Sequence, residues 1–443
     1  MDMHVLLCLS TAVIMVVAEN TYQNRPLRYG VLLDAGSSGT KIKVYRWPQR
    51  RSSKEIADIN LIESMKYRPN IGSFVHHLQD ISNYLVSMIN IAEEIVPTNL
   101  HRNTPIYLMA TAGLRIISED FSEILMDSVR DVFSNSTLNP FVFHDDGVQI
   151  LSGEEEGVFA WIAANFLRGF FGSGKPPTQA VGVLEMGGGS TQITFIPDGP
   201  VYANMFHVRL AGDLFYLYAH SYLYFGQNYI DSRINTYVLT TESLSSHVTN
   251  PCRLRGDDEY VKHENKSVLI KGGGDAQKCL EILNVFLKSA EDHKCYPKPC
   301  AIGQTYQPDL GSDVFFATQA FKYAPRALQA VDSLGRLQLE KMKEAAIQYC
   351  AQTLDEVTNG TTHGPQYASS NCIMGLYIPV LLTNGYGFPM STKNIYIVDK
   401  IRGQAVDWAM GAMLYKMETV SIQTTTCQRK TRLVAPLQLC NRF

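Results

Sequence analysis

The chain carries little net charge, and past its first eighteen residues it has no long apolar run. A formal charge of −3 gives no bulk electrostatic drive toward nucleic acid. Beyond the N-terminus, no segment approaches the roughly 20 apolar residues that a helical membrane span requires. No Cys-x-x-Cys pair and no His-x-His cluster accompanies the nine cysteines, which argues against a zinc site. Low-complexity stretches and solenoid periods are absent. At 443 residues, 45% hydrophobic and 18% charged, the chain is globular in composition and too long for one ordinary core. Two lobes are expected.

Val5 to Ala18 is almost wholly apolar or small, and Val16-Val17-Ala18 precedes Glu19. Residues 1–18 therefore read as a cleaved signal peptide, although no Lys or Arg precedes the apolar stretch; an uncleaved anchor is the rival reading. Cys8 falls inside that leader, which leaves eight cysteines in the mature chain. An even number in a secreted protein suggests disulfides. Among the connectivities open to eight, spacing proposes four local bridges in chain order: Cys252–Cys279, Cys295–Cys300, Cys350–Cys372 and Cys427–Cys440. Glycosylation sequons at Asn135, Asn265 and Asn359 fit the same compartment. Secretion is expected, with no stable membrane insertion after cleavage; retention in the secretory lumen is the alternative, though Asn441-Arg442-Phe443 is no retention signal of the Lys-Asp-Glu-Leu type.

A motif occurs twice. Residues 29–45 read YGVLLDAGSSGTKIKVY and residues 180–196 read AVGVLEMGGGSTQITFI. Each has an apolar run, an acid (Asp34, Glu185), a small-residue turn and an alternating segment. A buried strand, a tight turn and a half-exposed strand are predicted for each. Glycine lets backbone N–H groups approach an anion closely. Two such hairpins, one per lobe, would grip a phosphate chain from both sides.

Elsewhere the spacing of apolar residues predicts helices over 74–96, from Ser118 to Phe133, and from the Leu151-Ser152-Gly153 segment toward Phe166. Pro105 to Ala110 reads as a buried strand, and 169–178 as a loop. The aromatics of 207–226 have helical spacing, and Phe315–Tyr323, Arg336–Cys350 and Gln404–Tyr415 also read as helices. Residues 250–310 read as an excursion pinned by disulfides, and 394–398 as a short strand. Helices alternating with buried strands imply an α/β fold.

Five stretches stand out in order: 34–40 (DAGSSGT), 111–115 (TAGLR), 152–157 (SGEEEG), 184–192 (LEMGGGSTQ) and Ile401-Arg402-Gly403 through Trp408. Together they resemble the apyrases, the ecto-nucleoside triphosphate diphosphohydrolases, from about Tyr29 to Met417. The resemblance implies two actin-like, ribonuclease H-like α/β lobes with the active site in the cleft between them. Lobe I is expected over 25–150 plus 394–420, lobe II over 151–393, and a disulfide-held tail over 421–443. Nucleoside di- and triphosphates are the implied substrates, with Ca²⁺ or Mg²⁺ as cofactor.

Physical roles can be argued beside the resemblance. Splitting a phosphoanhydride needs neutralised phosphate oxygens, a positioned water and a base. Gly36, Ser37, Ser38, Gly39 and Thr40, with Gly187, Gly188, Gly189 and Thr191, supply turn donors for phosphate oxygens. Asp34 and Glu185 would repel a phosphate unless a divalent cation intervened, which makes them candidates to orient a hydrated metal. By resemblance Glu156 is the general base, Ser190 and Gln192 hold the attacking water, and Thr111 lies near metal and terminal phosphate. Glu154 and Glu155 are acids at a helix start, where they favour the dipole, and spacing alone does not separate the three glutamates. Arg115 reads equally as a phosphate clamp or as half of a buried ion pair.

The resemblance also has gaps. Glu185 stands where the family usually has Asp, and one extra methylene moves the carboxylate by about 1.5 Å. Tyr377 matches one position that stacks on the nucleobase, but the other falls on Ala320. Tyr224 stands where membrane-bound members carry a cysteine. Two other readings are an exopolyphosphatase, which shares hairpins and a Glu-Glu segment, and a secreted nucleotide-binding protein without turnover. The sequence carries no signal for an oligomeric state.

Overall fold

The first glycine motif folds as a hairpin of β1 (Leu27–Gly36) and β2 (Gly39–Pro48). The register pairs Asp34 with Lys41 and Gly36 with Gly39, so only Ser37 and Ser38 form the turn. These facts come from a computed structural model that describes residues 25–52, 54–241, 247–264, 266–287, 295–311, 313–359 and 365–418. Val31, Leu32 and Leu33 are fully buried, as expected of a strand covered on both faces. β3 (Asn60–Tyr67), β4 (Ile106–Ala110) and β5 (Val148–Ile150) complete a mixed sheet of order β3-β2-β1-β4-β5.

Two helices cover the outer face of this sheet. α1 (Ile81–Ile95) buries Ile81, Leu85, Met88, Ile89 and Ala92, a stripe at helical spacing. It begins later than predicted, after two short 3₁₀ segments within Ile71–Asp80. α2 (Glu119–Ser134) starts where expected, with Glu119 and Asp120 favouring its first turn, although Ser118 makes no side-chain cap bond.

α3 (Gly153–Leu167) then leads into the second lobe. The second glycine motif forms β6 (Gly182–Met186) and β7 (Ser190–Phe195). The aromatic stretch predicted as a helix is instead a hairpin of β8 (Met205–Leu210) and β9 (Asp213–Leu223). Aromatics on both faces, such as Phe215 on one and Tyr218 on the other, mimic helical spacing there. α4 (Gln227–Thr241) follows, then an excursion holding β10 (His247–Asn250), β11 (Glu259–His263), β12 (Lys266–Gly272) and α5 (Ala276–Leu287). The segment from Phe315, predicted as a helix, opens with a strand, β13 (Phe315–Gln319), between two parallel neighbours. An apolar run buried on both faces is readily mistaken for a helix. α6 (Leu339–Cys350), α7 (Pro365–Val380), β14 (Ile395–Ile397) and α8 (residues 408–418) complete the fold.

The second sheet has the order β14-β13-β6-β7-β9-β8. Counted from the glycine hairpin, β6, β7, β9, β13 and β14 repeat the arrangement of β1 to β5, with β8 as an added edge. The sequence repeat is thus a repeat of whole lobes, each actin-like and ribonuclease H-like. The lobe boundary expected at 394 needs correction: β14 pairs with β13, so the chain returns to lobe I only after Ile397. α3 and α8, the helices that follow the fifth strand of each copy, meet between the lobes, with Phe159 and Tyr415 5.4 Å apart. A central apolar cluster joins Leu32, Trp47 and Met109 of lobe I to Trp161, Leu217 and Met413.

Three of the four expected disulfides are present: Cys252–Cys279, Cys295–Cys300 and Cys350–Cys372. The Cys427–Cys440 bridge, the 421–443 tail, the signal over 1–18 and the sequon at Asn265 lie outside the described residues. No helix among the described residues is long and apolar enough to cross a membrane.

Candidate active site

The tips of the two hairpins meet between the lobes. A Cβ at Gly188 would lie 2.3 Å from Ser37 Oγ, so glycine lets the tips come this close with the Ser37 side chain in place. The single helical turn of Ala112–Arg115 wedges against both tips: a Cβ at Gly113 would lie 2.9 Å from the Ser37 Cα. Thr111 caps that turn and ties it to β1, its N–H donating to the Ala35 carbonyl at 3.1 Å.

The second turn is held from behind. The carbonyls of Gly187, Gly188 and Gly189 accept the N–H groups of Gln227, Asn228 and Tyr224 at 3.0, 3.0 and 2.8 Å. Gly187 N–H closes the turn on Ser190 O at 2.9 Å. No hydrogen bond to an acceptor among the described residues engages the N–H groups of Gly188 and Gly189. At the first turn, Ser38 Oγ accepts from Lys66 Nζ at 2.8 Å. Gly39 and Thr40 are buried at the base of that hairpin, and Thr191 Oγ1 donates to the Glu185 carbonyl at 2.8 Å.

The three glutamates that spacing could not separate have three different surroundings. Glu155 completes a capping box with Ser152 at the start of α3. Glu154 turns toward β9, 3.3 Å from His220 Nδ1 and from the Ser221 N–H. Glu156 alone points into the cleft, where its Oε2 accepts from Arg115 at 2.9 Å and from Gln192 Nε2 at 3.1 Å. Ser190 Oγ accepts from the same two donors, at 3.0 Å from Arg115 and 2.8 Å from Gln192. Burial pushes the Glu156 carboxyl up and Arg115 pulls it back; the net effect is a value above the ordinary one. Arg115 is therefore the ion-pair partner of Glu156, and its other terminal nitrogen donates to Leu151 O at 3.0 Å. Of the two readings of Arg115, the ion pair is the one seen in this geometry.

The two acids that follow the buried runs are both buried, at 5% exposure for Asp34 and 3% for Glu185. Glu185 Oε2 has no hydrogen-bond partner. Burial first, then the charges of Glu156, Asp407 and Asp34, drive its carboxyl well above the usual range. Asp34 Oδ2 lies 3.4 Å from Lys43 Nζ and 3.8 Å from Lys41 Nζ. Lys43 also bonds Asp407, the residue before α8. Burial pushes Asp407 up, but Lys43 and Lys41 outweigh it and hold the carboxyl below its usual value.

Lys43 and Asp407 escaped the sequence reading. The alternation Lys41-Ile42-Lys43-Val44 predicted a half-exposed strand, yet Lys43 is buried because its face meets α8 and the other lobe. The β7 counterpart differs from expectation in the same way: all six of its residues are buried. An aspartate before a helical run was the available sign of Asp407 as a cap.

The nucleobase position needs correction. Tyr377 is fully buried and its hydroxyl donates to Phe225 O at 2.8 Å, so it presents no open face for stacking. Ala320, the other expected position, is buried as well.

Two facing turns that present backbone N–H groups, with a buried acid beside a serine and a glutamine, make this two-lobed protein a phosphoanhydride hydrolase by fold and site. Comparison with known proteins agrees over nearly the whole length. The chain belongs to the GDA1/CD39 (nucleoside phosphatase) family, whose profile matches residues 20–433. Ectonucleoside triphosphate diphosphohydrolase 1 of Bos taurus is 31% identical over 445 residues, covering 91% of this chain and 84% of the relative. Probable apyrase 6 of Arabidopsis thaliana is 29% identical over 421 residues, covering 90% and 74%. Among solved structures, nucleoside triphosphate hydrolases from Neospora caninum share the fold with a TM-score of 0.66 at 16% identity, covering 94% of this chain and 97% of that one.

Proposed function

We propose that this protein hydrolyses nucleoside tri- and diphosphates, releasing orthophosphate by in-line attack of a water activated by Glu156. The observation that carries this reading is the hydrogen-bonded group of Glu156, Ser190, Gln192 and Arg115 beside the facing hairpin tips. A water bound to Ser190 and Gln192 would sit next to the one glutamate turned into the cleft. Glu156 takes its proton as the new P–O bond to the terminal phosphorus forms; the anhydride P–O bond opposite breaks, and the shortened nucleotide departs in line. A buried base held above the usual carboxylate value is better matched to that task than an exposed one. The N–H groups of Gly188 and Gly189, with those of the Ser37-Ser38 turn, neutralise phosphate oxygens. Thr111 borders the same space.

The donor set fits a divalent cation of the hard class. Asp34 and Glu185 offer oxygen only, Glu185 Oε2 is a buried acceptor without a partner, and no cluster of three metal-ligating acids, histidines or cysteines exists among the described residues. Two carboxylates suit a Ca²⁺ or Mg²⁺ that keeps water and takes phosphate oxygens as its other ligands. When bound, such an ion supplies charge neutralisation at the phosphates. The three disulfides support a workplace in the secretory pathway or outside the cell.

The test is phosphate release by the purified protein from ATP, ADP, UDP and long-chain polyphosphate, each with Ca²⁺, Mg²⁺ or EDTA. Metal-dependent release from the nucleotides, with ADP and AMP accumulating from ATP, is the expected result. Release from polyphosphate alone would make it an exopolyphosphatase. Nucleotide binding with no release at all would leave a binding protein.

A further inference from the structure

One buried cation has no part in the reaction as described. Lys43 is 2% exposed, yet its ammonium lies between two carboxylates: Asp34 Oδ2 at 3.4 Å, and Asp407 Oδ2 in direct contact. Asp407 is itself fixed, because its other oxygen accepts the Ala409 N–H at 2.9 Å in the first turn of α8. The only other cation on Asp34 among the described residues is Lys41, farther away at 3.8 Å and 38% exposed. The three charges form a row that runs from the first hairpin of lobe I to the helix that closes the interface between the lobes.

Packing alone does not explain this row. A buried ion pair is commonly matched or bettered in stability by apolar residues of similar volume. The neighbourhood could supply them, since Leu32, Tyr45, Trp47 and Met413 share one apolar cluster. Tyr45, two residues along β2 and on the same face as Lys43, is fully buried. An ammonium retained here acts on what it touches, and what it touches is the carboxylate read as orienting the cation.

We propose that Lys43 is a positioning residue for the cation site. It fixes the orientation of Asp34 and offsets its charge, and Asp407 sets how much of that ammonium Asp34 receives. The inference rests on the reading of Asp34 as a cation-orienting acid. Two opposite effects follow. Removing the ammonium leaves the site more negative, which tightens cation binding. Removing the Asp407 charge leaves Asp34 as the sole acidic partner of Lys43, which weakens it.

The test compares wild type with Lys43→Met, Lys43→Arg, Asp407→Asn and the double variant Lys43→Met/Asp407→Asn. The readout is the half-saturating Ca²⁺ concentration obtained by fitting the melting-temperature rise across a Ca²⁺ series, without nucleotide, since a ligand of the folded state raises that temperature with the logarithm of its concentration above its dissociation constant. Lys43→Met is expected to shift this concentration down by about tenfold and Asp407→Asn to shift it up by about tenfold. The double variant, which replaces the pair as a unit and so keeps the fold, should return close to wild type, and Lys43→Arg should match it. Turnover of ATP by Lys43→Met should fall in kcat at saturating Ca²⁺, because Asp34 has lost its fixed orientation. Should Lys43→Met fail to fold, Asp407→Asn and the double variant decide. Shifts of one sign in both single variants, or none in any, would overturn the role of Lys43. A wild type that neither gains stability from Ca²⁺ nor releases phosphate with it would instead overturn the functional reading beneath.

Discussion

Arg115 donates from one nitrogen to both Glu156 and Ser190, at 2.9 and 3.0 Å, so the candidate base and a candidate water ligand share one fixed cation. On the proposed mechanism the pair sets the acid limb of the pH profile. Glu156 must be unprotonated to accept a proton, burial raises its pKa and Arg115 lowers it. Glu156→Gln should cut kcat by about 10²–10⁴-fold and leave nucleotide binding intact. Arg115→Met should move the acid limb of kcat/KM to higher pH, because the opposing charge is gone. Breaking a buried pair costs about 3–5 kcal/mol, so a melting curve must accompany the rates. An acid limb that stays in place would remove Glu156 from the base role.

Glu155 gives the matched control on the same helix. It belongs to the capping box with Ser152, where its carboxylate accepts the Ser152 N–H at 2.9 Å and Ser152 Oγ accepts the Glu155 N–H at 3.1 Å. Glu155→Ala should lower stability by about 0.5–2 kcal/mol, the range for a lost cap, with kcat unchanged. Chemical denaturation and steady-state kinetics on one preparation check both halves. A loss of turnover at full stability would mean that the wrong glutamate has been assigned to the chemistry.

The legible parts of this chain were those where one local rule decided the outcome. The glycine hairpins, the helix that opens at Leu151-Ser152-Gly153 and the amphipathic stripe of α1 each follow from spacing within a few residues. The errors fell where a long-range neighbour decided. Phe315–Gln319 reads as a helix until β6 and β14 are known to flank it. Phe215 and Tyr218 sit on opposite faces of β9 and pack into different apolar clusters, a division invisible before its neighbouring strands pair with it. Lys43 looked solvated because period-2 alternation identifies a face but does not say whether another lobe covers it. The site was readable as a set of motifs, but its wiring was not. That Arg115 serves Glu156, and that the Tyr377 hydroxyl is taken up by the Phe225 carbonyl, depend on contacts across 41 and 152 residues.

Glu185 links stability to pH and to metal. Its folded value lies well above the unfolded one, because burial and neighbouring acids disfavour the anion. Between those two values the folded state binds the extra proton, so this group's contribution to stability falls as pH rises through the window. Glu185→Gln removes the charge. In EDTA the variant should melt higher than wild type at neutral and alkaline pH. The gap should grow with pH by up to about 1.4 kcal/mol per unit inside the window. The same variant should need about tenfold or more Ca²⁺ or Mg²⁺ for half-maximal phosphate release, having lost one of two carboxylates. Melting curves at several pH values and a metal titration of activity test the two effects separately. A lower melting temperature in EDTA at all pH values would mean that Glu185 is held by a partner in solution.

Gly188 tests whether the meeting of the two hairpins matters for substrate. A methyl group there would lie 2.3 Å from Ser37 Oγ and 2.7 Å from Asn228 Nδ2, so Gly188→Ala either displaces these two side-chain ends or tilts the turn. The carbonyls behind the turn are anchored by Tyr224, Gln227 and Asn228, so a tilt is taken up on the side where the N–H groups are proposed to face the phosphates. The expected result is a rise in KM for ATP of about tenfold, with a smaller change in kcat, the pattern of lost uniform binding. Ser37→Ala in the Gly188→Ala background removes the Oγ that the methyl group meets and should recover part of the affinity. Steady-state kinetics on the two variants decide the matter: an unchanged KM in Gly188→Ala would show that the second turn does not touch the phosphate chain.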